Sequence, residues 1–384
     1  MHGHIAKDEA WMRLALRLAA RAEGETSPNP MVGAVLVRRG RKIGQGWHRR
    51  AGQPHAEIEA LQDARARHES PYGATLYVTL EPCCTHGRTP PCTNAIVDAG
   101  IRRVVVAAMD PNPAHAGRGF RLLRRAEIAV ETGILADQAT RLNEAFNHWI
   151  VHRTPYVAVK AAMTLDGKIA TATGESQWIT SPLARTAGMR FRRQSDAILV
   201  GVNTVLLDDP RLTVRPASGE KHPASRRRII VDSQARTPVT AQVVQDRFAN
   251  STTIVTTRRA PFRRVAALSR HVQVWSAPER NGHVDLRWLL RKLGSENVTR
   301  LLVEGGGEIN ASFLLGGLAH EIAFFFAPKI LGGRDARRAV AGDGIQKLAE
   351  VTELERVEWR KIGPDLMLQA RIKSPRGRRG KRAA

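Results

Sequence analysis

Hydrophobic positions in the first 150 residues alternate between two periods. Residues 8–21 place Trp11, Leu14, Ala15 and Leu18 at helical spacing, which predicts a helix. Residues 32–37 and 42–47 read as strands on either side of an Arg39-Gly40 turn. Residues 56–67 read as a helix with Ile58 and Leu61 on one face, finished before Gly73. A β-rich run follows at 75–79, then a short helix at 93–99 stopped by Gly100. Residues 104–108 are wholly apolar, the pattern of a strand buried on both faces. Residues 119–126, 128–132 and 135–149 continue as helix, strand and helix. Such alternation implies a layered α/β domain.

The pattern restarts after a boundary at 148–155. A strand is expected at 156–162, a helix at 181–193 and a strand at 197–201. Further strands are expected at 228–232, 253–257, 272–275, 301–304 and 321–326, with a helix at 308–315 before the last of them. Residues 217–227 are polar and basic, as in an exposed loop. From Ser374 onward almost nothing is apolar, so disorder is expected. The division is therefore 1–150, 151–373 and a basic tail at 374–384.

Composition narrows the class. At 384 residues, 42% hydrophobic and 25% charged, the chain can bury two or three globular cores. No apolar run approaches the roughly 18 residues of a membrane span. Three cysteines exclude a disulfide scaffold. The first 21 residues lack the apolar stretch of a secretory signal, so a cytoplasmic protein is expected. The formal charge is +24, carried by 49 Arg and only eleven Lys. A positive field favours any polyanion, whether nucleic acid or phosphorylated metabolite. Charge therefore sets the partner's sign and leaves its identity open.

Candidate chemistry concentrates at His55-Ala56-Glu57, Pro82-Cys83 and Cys92, all at expected element ends. Zinc favours imidazole and thiolate donors, and a catalytic zinc keeps one position open. His55, Cys83 and Cys92 supply three donors. Cys92, near a helix N-terminus, is expected to be favoured as thiolate. Glu57 is then a free carboxyl suited to proton shuttling. A His-x-Glu followed by paired cysteines is the layout of zinc nucleobase deaminases. Cys84, directly beside Cys83, is not expected to ligate.

The spacing separates this chain from nucleic-acid deaminases, because eight residues rather than two lie between Cys83 and Cys92. Together, His55-Ala56-Glu57, Leu80-Glu81-Pro82-Cys83 and Gly87-Arg88-Thr89-Pro90-Pro91-Cys92 resemble the deaminase half of the bifunctional deaminase–reductases of riboflavin biosynthesis. Pro28-Asn29-Pro30, Val32-Gly33, Asp110-Pro111-Asn112-Pro113 and Gly117-Arg118-Gly119 resemble the same family. Two positions depart from it. Met31 stands where a polar residue is common, and Thr85 where a His is expected two places after the first Cys, with His86 as the neighbouring imidazole. Arg88 is a candidate for holding a ribose phosphate.

The second half adds Thr164-Leu165-Asp166-Gly167-Lys168, Ser176-Gln177-Trp178-Ile179-Thr180-Ser181, Asp208-Asp209-Pro210 and Glu304-Gly305-Gly306-Gly307, which resemble the reductase half of that family. Glycines between strand and helix can admit a phosphate to the helix N-terminus, although a simple tight turn is the commoner cause. Taken alone, Trp178 reads as a core residue, and Arg192 and Arg215 as surface arginines.

The resemblance runs from about residue 8 to 372. It implies a cytidine-deaminase-like αβα layered domain followed by a dihydrofolate-reductase-like α/β domain. It implies zinc and NADPH as cofactors and a phosphorylated pyrimidine as substrate. The first step would deaminate 2,5-diamino-6-(5-phosphoribosylamino)pyrimidin-4-one, and the second would reduce the ribosyl group to ribityl. Ser176, Arg192, Leu212, Arg215 and Glu304 would contact substrate. Ala162, Trp178, Thr204, Asp208, Ser233, Gly306, Gly307, Glu308, Ile309, Asn310, Ala311 and Ser312 would line the NADPH site, with Lys160 a further candidate for proton delivery. A homodimer or homotetramer is implied, and neither a membrane nor a nucleic-acid partner.

Overall fold

The computed structural model describes residues 2–85, 90–214 and 226–373. Arg88, His86, Arg215 and the expected tail at 374–384 lie outside the described residues, as does the expected loop at 217–227 up to residue 225. The chain divides into two compact units, one of Met1–Thr154 with Gly294–Thr299, the other of Pro155–Leu293 with the residues from Arg300 onward.

The first unit carries α1 (His2–Ala20), β1 (Gly33–Arg38), β2 (Arg41–Trp47), α2 (Ala56–Ala66), β3 (Thr75–Leu80), α3 (Cys92–Asp98), β4 (Arg103–Ala108), α4 (Arg118–Arg125), β5 (Ala129–Thr132), α5 (Ala136–Leu142) and α6 (Glu144–His152). Its sheet runs β2-β1-β3-β4-β5, with β1 antiparallel to both neighbours and β3, β4 and β5 parallel. Period-two alternation divides each central strand between two cores. Ala34, Leu36, Leu76, Val78, Val104 and Val106 pack with Ala60, Leu61, Ile96 and Leu123 from α2, α3 and α4. Val35, Val37, Tyr77, Val105 and Ala107 pack with Met12, Ala15, Leu16 and Ala139 from α1 and α5. The result is an αβα sandwich. Gly33 lets α1 lie directly on β1, since a Cβ there would sit 2.0 Å from the Ala15 carbonyl oxygen.

One expectation fails in this unit. Residues 135–149 form two helices, not one, broken at Asn143 (φ −110°, ψ 22°). The Asn143 side chain is committed to the Met31 backbone. It accepts from the Met31 N–H (2.8 Å) and donates to the Met31 carbonyl (2.9 Å).

The second unit carries β6 (Tyr156–Thr164), α7 (Pro182–Arg193), β7 (Ala197–Gly201), α8 (Val202–Asp208), β8 (Arg227–Val231), β9 (Thr252–Thr257), α9 (Phe262–Ser269), β10 (Gln273–Ala277), α10 (Leu286–Ser295), β11 (Arg300–Val303), α11 (Gly307–Leu314), β12 (Glu321–Ala327), β13 (Leu354–Ile362) and β14 (Asp365–Ile372). They form a nine-stranded sheet in the order β10-β9-β8-β7-β11-β6-β12-β14-β13. All pairings are parallel as far as β12, and the β13–β14 hairpin joins β12 antiparallel. Ser181 caps α7, its hydroxyl accepting from the Ala184 N–H (3.3 Å), with Pro182 at the first helical position. The Thr164–Lys168 motif ties down a distant loop. The Asp166 carboxylate accepts from Thr164 Oγ1 and from the Leu331 and Gly332 N–H groups, and these bonds hold it down to about 2. Among the described residues no helix is long and apolar enough to cross a membrane.

Candidate active sites

In the first unit, three element ends converge. His55 is the residue before the first turn of α2, Cys83 follows the end of β3, and Cys92 opens α3. His55 Nδ1 lies 3.3 Å from Cys92 Sγ and 3.5 Å from Cys83 Sγ, and all three donor atoms fall within 4.8 Å of one another. Zinc–sulfur and zinc–nitrogen bonds of about 2.3 and 2.0 Å at tetrahedral angles would set such donors about 3.5–3.8 Å apart. The trio therefore fits zinc in both donor type and spacing. Cys84 is outside it.

The two cysteine thiols form one hydrogen-bonded pair. The N–H that opens α3, on Cys92, donates to Cys83 Sγ (3.3 Å), so the helix N-terminus acts on Cys83. Hydrogen bonds from the Cys92 thiol and from His55 hold the Cys83 thiol below its ordinary range. The Cys92 thiol, sharing its proton with Cys83 and almost fully buried, is pushed up. Glu57 lies on the first turn of α2, 4% exposed. Burial, then the neighbouring Cys83, pushes its carboxyl up to about 7.

Beyond these four residues, the structure brings in side chains that sequence reasoning missed. Glu81, buried, accepts from the N–H groups of Asp110 (3.3 Å), Gly117 (3.0 Å) and Gly119 (2.9 Å). This clamps the loop after β4 onto Pro82-Cys83. His48 bridges Asn29 Nδ2 (3.1 Å) and the Pro54 carbonyl (3.0 Å), and its ring meets that of His55 edge-on. Thr85 Oγ1 lies 2.9 Å from His115 Nε2. Glu81, Asp110 and Asn29 belong to the motifs already quoted, so that signal was present. His115 and His48 sit in no motif.

In the second unit, the sheet order places the C-terminal ends of β7, β11 and β6 side by side. Gly201, Glu304 and Ala162 lie at or near those ends, with α8 and α11 starting there. Arg192 is mostly buried, not a surface residue. It donates to Glu304 Oε2 from Nε (2.8 Å) and Nη2 (2.5 Å), and to the Thr213 carbonyl (2.8 Å). Burial works to raise Glu304, but Arg192 and Lys160 overcome it and hold the carboxyl below its ordinary range. Glu304 Oε1 has no protein partner. Burial pushes the Lys160 ammonium down, against the pull of Glu304.

The remaining expected residues are spread more widely. Ser176 donates to Asp208 Oδ1 (2.9 Å), so those two meet. Trp178 is no core residue. It is 56% exposed, with the Arg185 guanidinium 4.5 Å from its ring centre. Leu212 is buried with φ 51°, so its backbone rather than its side chain is distinctive. Thr204 is half-buried on α8. Ser233 accepts from the Val284 N–H. On α11, Asn310 and Ala311 are buried, and Asn310 donates to the Ala339 carbonyl (2.8 Å). Glu308 and Ser312 are exposed, while Ile309 is half-buried.

The glycines before α11 have distinct causes. A Cβ on Gly307 would sit 2.2 Å from the Arg338 carbonyl oxygen, so this one is required by packing. A Cβ on Gly306 would meet nothing within 4 Å beyond its own chain neighbours. The open space at Gly306, beside the unsatisfied N–H groups of a helix start, fits the phosphate end of a dinucleotide.

Comparisons with known proteins match both halves. Residues 5–108 match the cytidine and deoxycytidylate deaminase zinc-binding region, and residues 155–368 match the RibD C-terminal domain. A riboflavin biosynthesis protein RibD of Actinobacillus pleuropneumoniae is 42% identical over 368 residues, covering 96% of each chain. Its counterpart in Aquifex aeolicus is 44% identical, covering 94% of this chain and 97% of that one. The solved structure of Acinetobacter baumannii RibD is 36% identical with a TM-score of 0.85, covering 96% of this chain and all of the other. The Thermotoga maritima deaminase/reductase structure is 33% identical with a TM-score of 0.83, again covering 96% of this chain and all of that one. On full-length identity and on both halves in the same order, the chain belongs to the RibD family of riboflavin biosynthesis proteins.

Proposed function

We propose that the chain catalyses two successive steps of riboflavin synthesis. The first unit hydrolytically deaminates 2,5-diamino-6-(5-phosphoribosylamino)pyrimidin-4-one to 5-amino-6-(5-phosphoribosylamino)uracil. The second reduces that product's ribosyl group to ribityl. The observation that carries the reading is the His55–Cys83–Cys92 donor trio with the buried Glu57 against it.

His55, Cys83 and Cys92 hold the zinc. When bound, zinc supplies Lewis acidity that makes water a nucleophile near neutral pH. Glu57 takes the first proton of the attacking water on its carboxylate and passes it to the ring nitrogen, then takes the second from the hydroxyl formed on the ring carbon and passes it to the departing amine. Its burial keeps the carboxyl out of bulk water and aimed at the reacting group. Asn29, His48 and Glu81 hold the surrounding loops.

In the second unit, Gly306, Gly307 and the first turn of α11 hold the phosphates of NADPH. Ala162, Trp178, Thr204, Asp208, Ser233 and residues 308–312 line the rest of its site. When bound, NADPH supplies a hydride to the sugar C1. Ser176, Arg192, Leu212, Arg215 and Glu304 hold the substrate, and Lys160, buried beside Glu304, moves the proton. The protein acts in the cytoplasm as a homo-oligomer, and the open edge strand at β13 supports the oligomer.

Glu57→Gln tests the deaminase assignment. The variant is expected to keep one zinc per chain and lose ammonia release by at least a hundredfold. It should still oxidise NADPH when given the deaminated intermediate. Ammonia release at the parent rate would remove Glu57 from this role.

A further inference from the structure

The loop that follows α8 is held by its backbone carbonyls at every second residue. The Gln242 side-chain amide donates to the Asp209 carbonyl (2.7 Å), Arg228 Nη1 to the Arg211 carbonyl (3.0 Å) and Arg192 Nη1 to the Thr213 carbonyl (2.8 Å). Gln242 grips the loop twice more. Its N–H donates to Asp209 Oδ1 (2.8 Å), and its Oε1 accepts from Arg211 Nε (2.7 Å). Its own footing is firm. Arg228, fully buried on β8, donates to both carboxylate oxygens of Asp246 (2.7 and 2.8 Å) and to the Val243 carbonyl (3.1 Å), which fastens the helical turn Gln242–Gln245 to the sheet.

The loop needs such a grip. Asp209 (φ 38°) and Leu212 (φ 51°) both take the left-handed backbone conformation. An aspartate tolerates it, but for a bulky leucine it is an outlier. Strain of this kind persists only where the surroundings impose it, and it collects where a ligand is clamped. The far end of the loop meets the reductase site. The Arg192 guanidinium that holds the Thr213 carbonyl also holds Glu304, whose Oε1 has no hydrogen-bond partner among the described residues. Backbone N–H groups draw an anion in, and carbonyl oxygens repel it. Tying down the carbonyls of 209, 211 and 213 fixes which of the two the loop presents.

We infer that Gln242 is a positioning residue of the reductase site: it holds the 209–213 loop in the backbone conformation that receives the phosphorylated substrate, and it acts through Leu212 without touching the substrate itself. This assignment rests on the reductase reading above. The role falls to Gln242 rather than to Arg228. The buried arginine fastens a whole segment, whereas the half-buried Gln242 side chain bonds, among the described residues, only to the loop. No motif marks Gln242, which lies 33 positions beyond Asp209 in the chain.

The test uses the full zinc-loaded chain and two variants. Gln242→Met keeps the length and loses both side-chain bonds. Gln242→Glu keeps the acceptor for Arg211 and loses the donor to Asp209. NADPH oxidation is followed at varied concentrations of the deaminated intermediate, NADPH affinity by fluorescence titration, and deuterium exchange over residues 209–213 by mass spectrometry. Gln242→Met should raise KM for the intermediate about tenfold, the effect of losing one or two hydrogen bonds, with kcat within about twofold of the parent. NADPH affinity and ammonia release should stay at parent values, and Gln242→Glu should fall between parent and Gln242→Met in KM. Exchange over 209–213 should quicken in Gln242→Met and slow again with saturating intermediate. Parent KM in Gln242→Met overturns the proposal. Raised KM with unchanged exchange overturns it too, because the loop would not be the route. So does a joint fall in kcat and NADPH affinity, which is general damage to the fold. A parent enzyme that does not oxidise NADPH with the deaminated intermediate would instead sink the reductase reading itself.

Discussion

Single side chains decide more here than their number suggests, and Glu321 shows how. It is fully buried on β12 and held by Arg300 (2.7 Å), Arg371 (3.1 Å) and Gln369 (2.6 Å). Burial alone would raise its pKa, but the two guanidinium groups overcome that and keep it below the ordinary glutamate range. A group whose folded pKa is depressed contributes stability above its unfolded pKa and loses it as pH falls through the folded value. Glu321→Ala should therefore cost about 3 kcal/mol near neutral pH by leaving two cations without their partner. The gap between variant and parent should close as the medium is acidified below about pH 4. Urea melts at both pH values check this, and a pH-independent gap would show that packing, not charge, sets the cost. The residue scale also marks the limit of sequence reading. His55, Glu57, Cys83 and Cys92 were legible because their chemistry demands those types at element ends. His115 and Asn143 were not, because each acts on a segment far away in the chain, at Thr85 and Met31.

At the scale of elements, the buried strands were the easiest to read. Their apolar runs have one cause, burial on two faces, and β1, β4, β7 and β11 all follow it. Harder were the elements whose pattern serves something other than a core. The α5–α6 break needs Met31 in space. The β13–β14 hairpin hides because eight of the nine residues of β13 are exposed, and Leu-Glu-Arg-Val-Glu-Trp-Arg-Lys carries no apolar alternation strong enough to stand out. Val357 and Trp359 are exposed on this edge, where an unpaired strand is free to pair with another chain. A second copy of the chain is the occupant that a symmetric oligomer would supply. Replacing Val357 and Trp359 together by lysine should convert the parent assembly to monomer in sedimentation velocity, with both units still folded. An unchanged sedimentation coefficient, with the parent oligomeric, would place the interface elsewhere.

For the whole molecule, two α/β units each bring their candidate residues to the ends of their strands. In the first, the residues converge tightly enough to define a metal centre. In the second, Arg192–Glu304 and Ser176–Asp208 meet as pairs while the remainder spreads along α8 and α11. Spacing alone set the chain apart from nucleic-acid deaminases, through the eight residues between the cysteines; the expectation for both sites came from the resemblance of the motifs, in the order of the two halves, to a known family. One chain is expected to perform both reactions in sequence, deamination before reduction. The most direct measurement supplies the purified zinc-loaded protein with the diaminopyrimidine ribosyl phosphate, with and without NADPH, and follows ammonia and NADPH separately. Ammonia should appear in both cases, and NADPH should fall only after ammonia has risen. NADPH consumed before any ammonia, or ammonia that never leads to NADPH consumption, would contradict it.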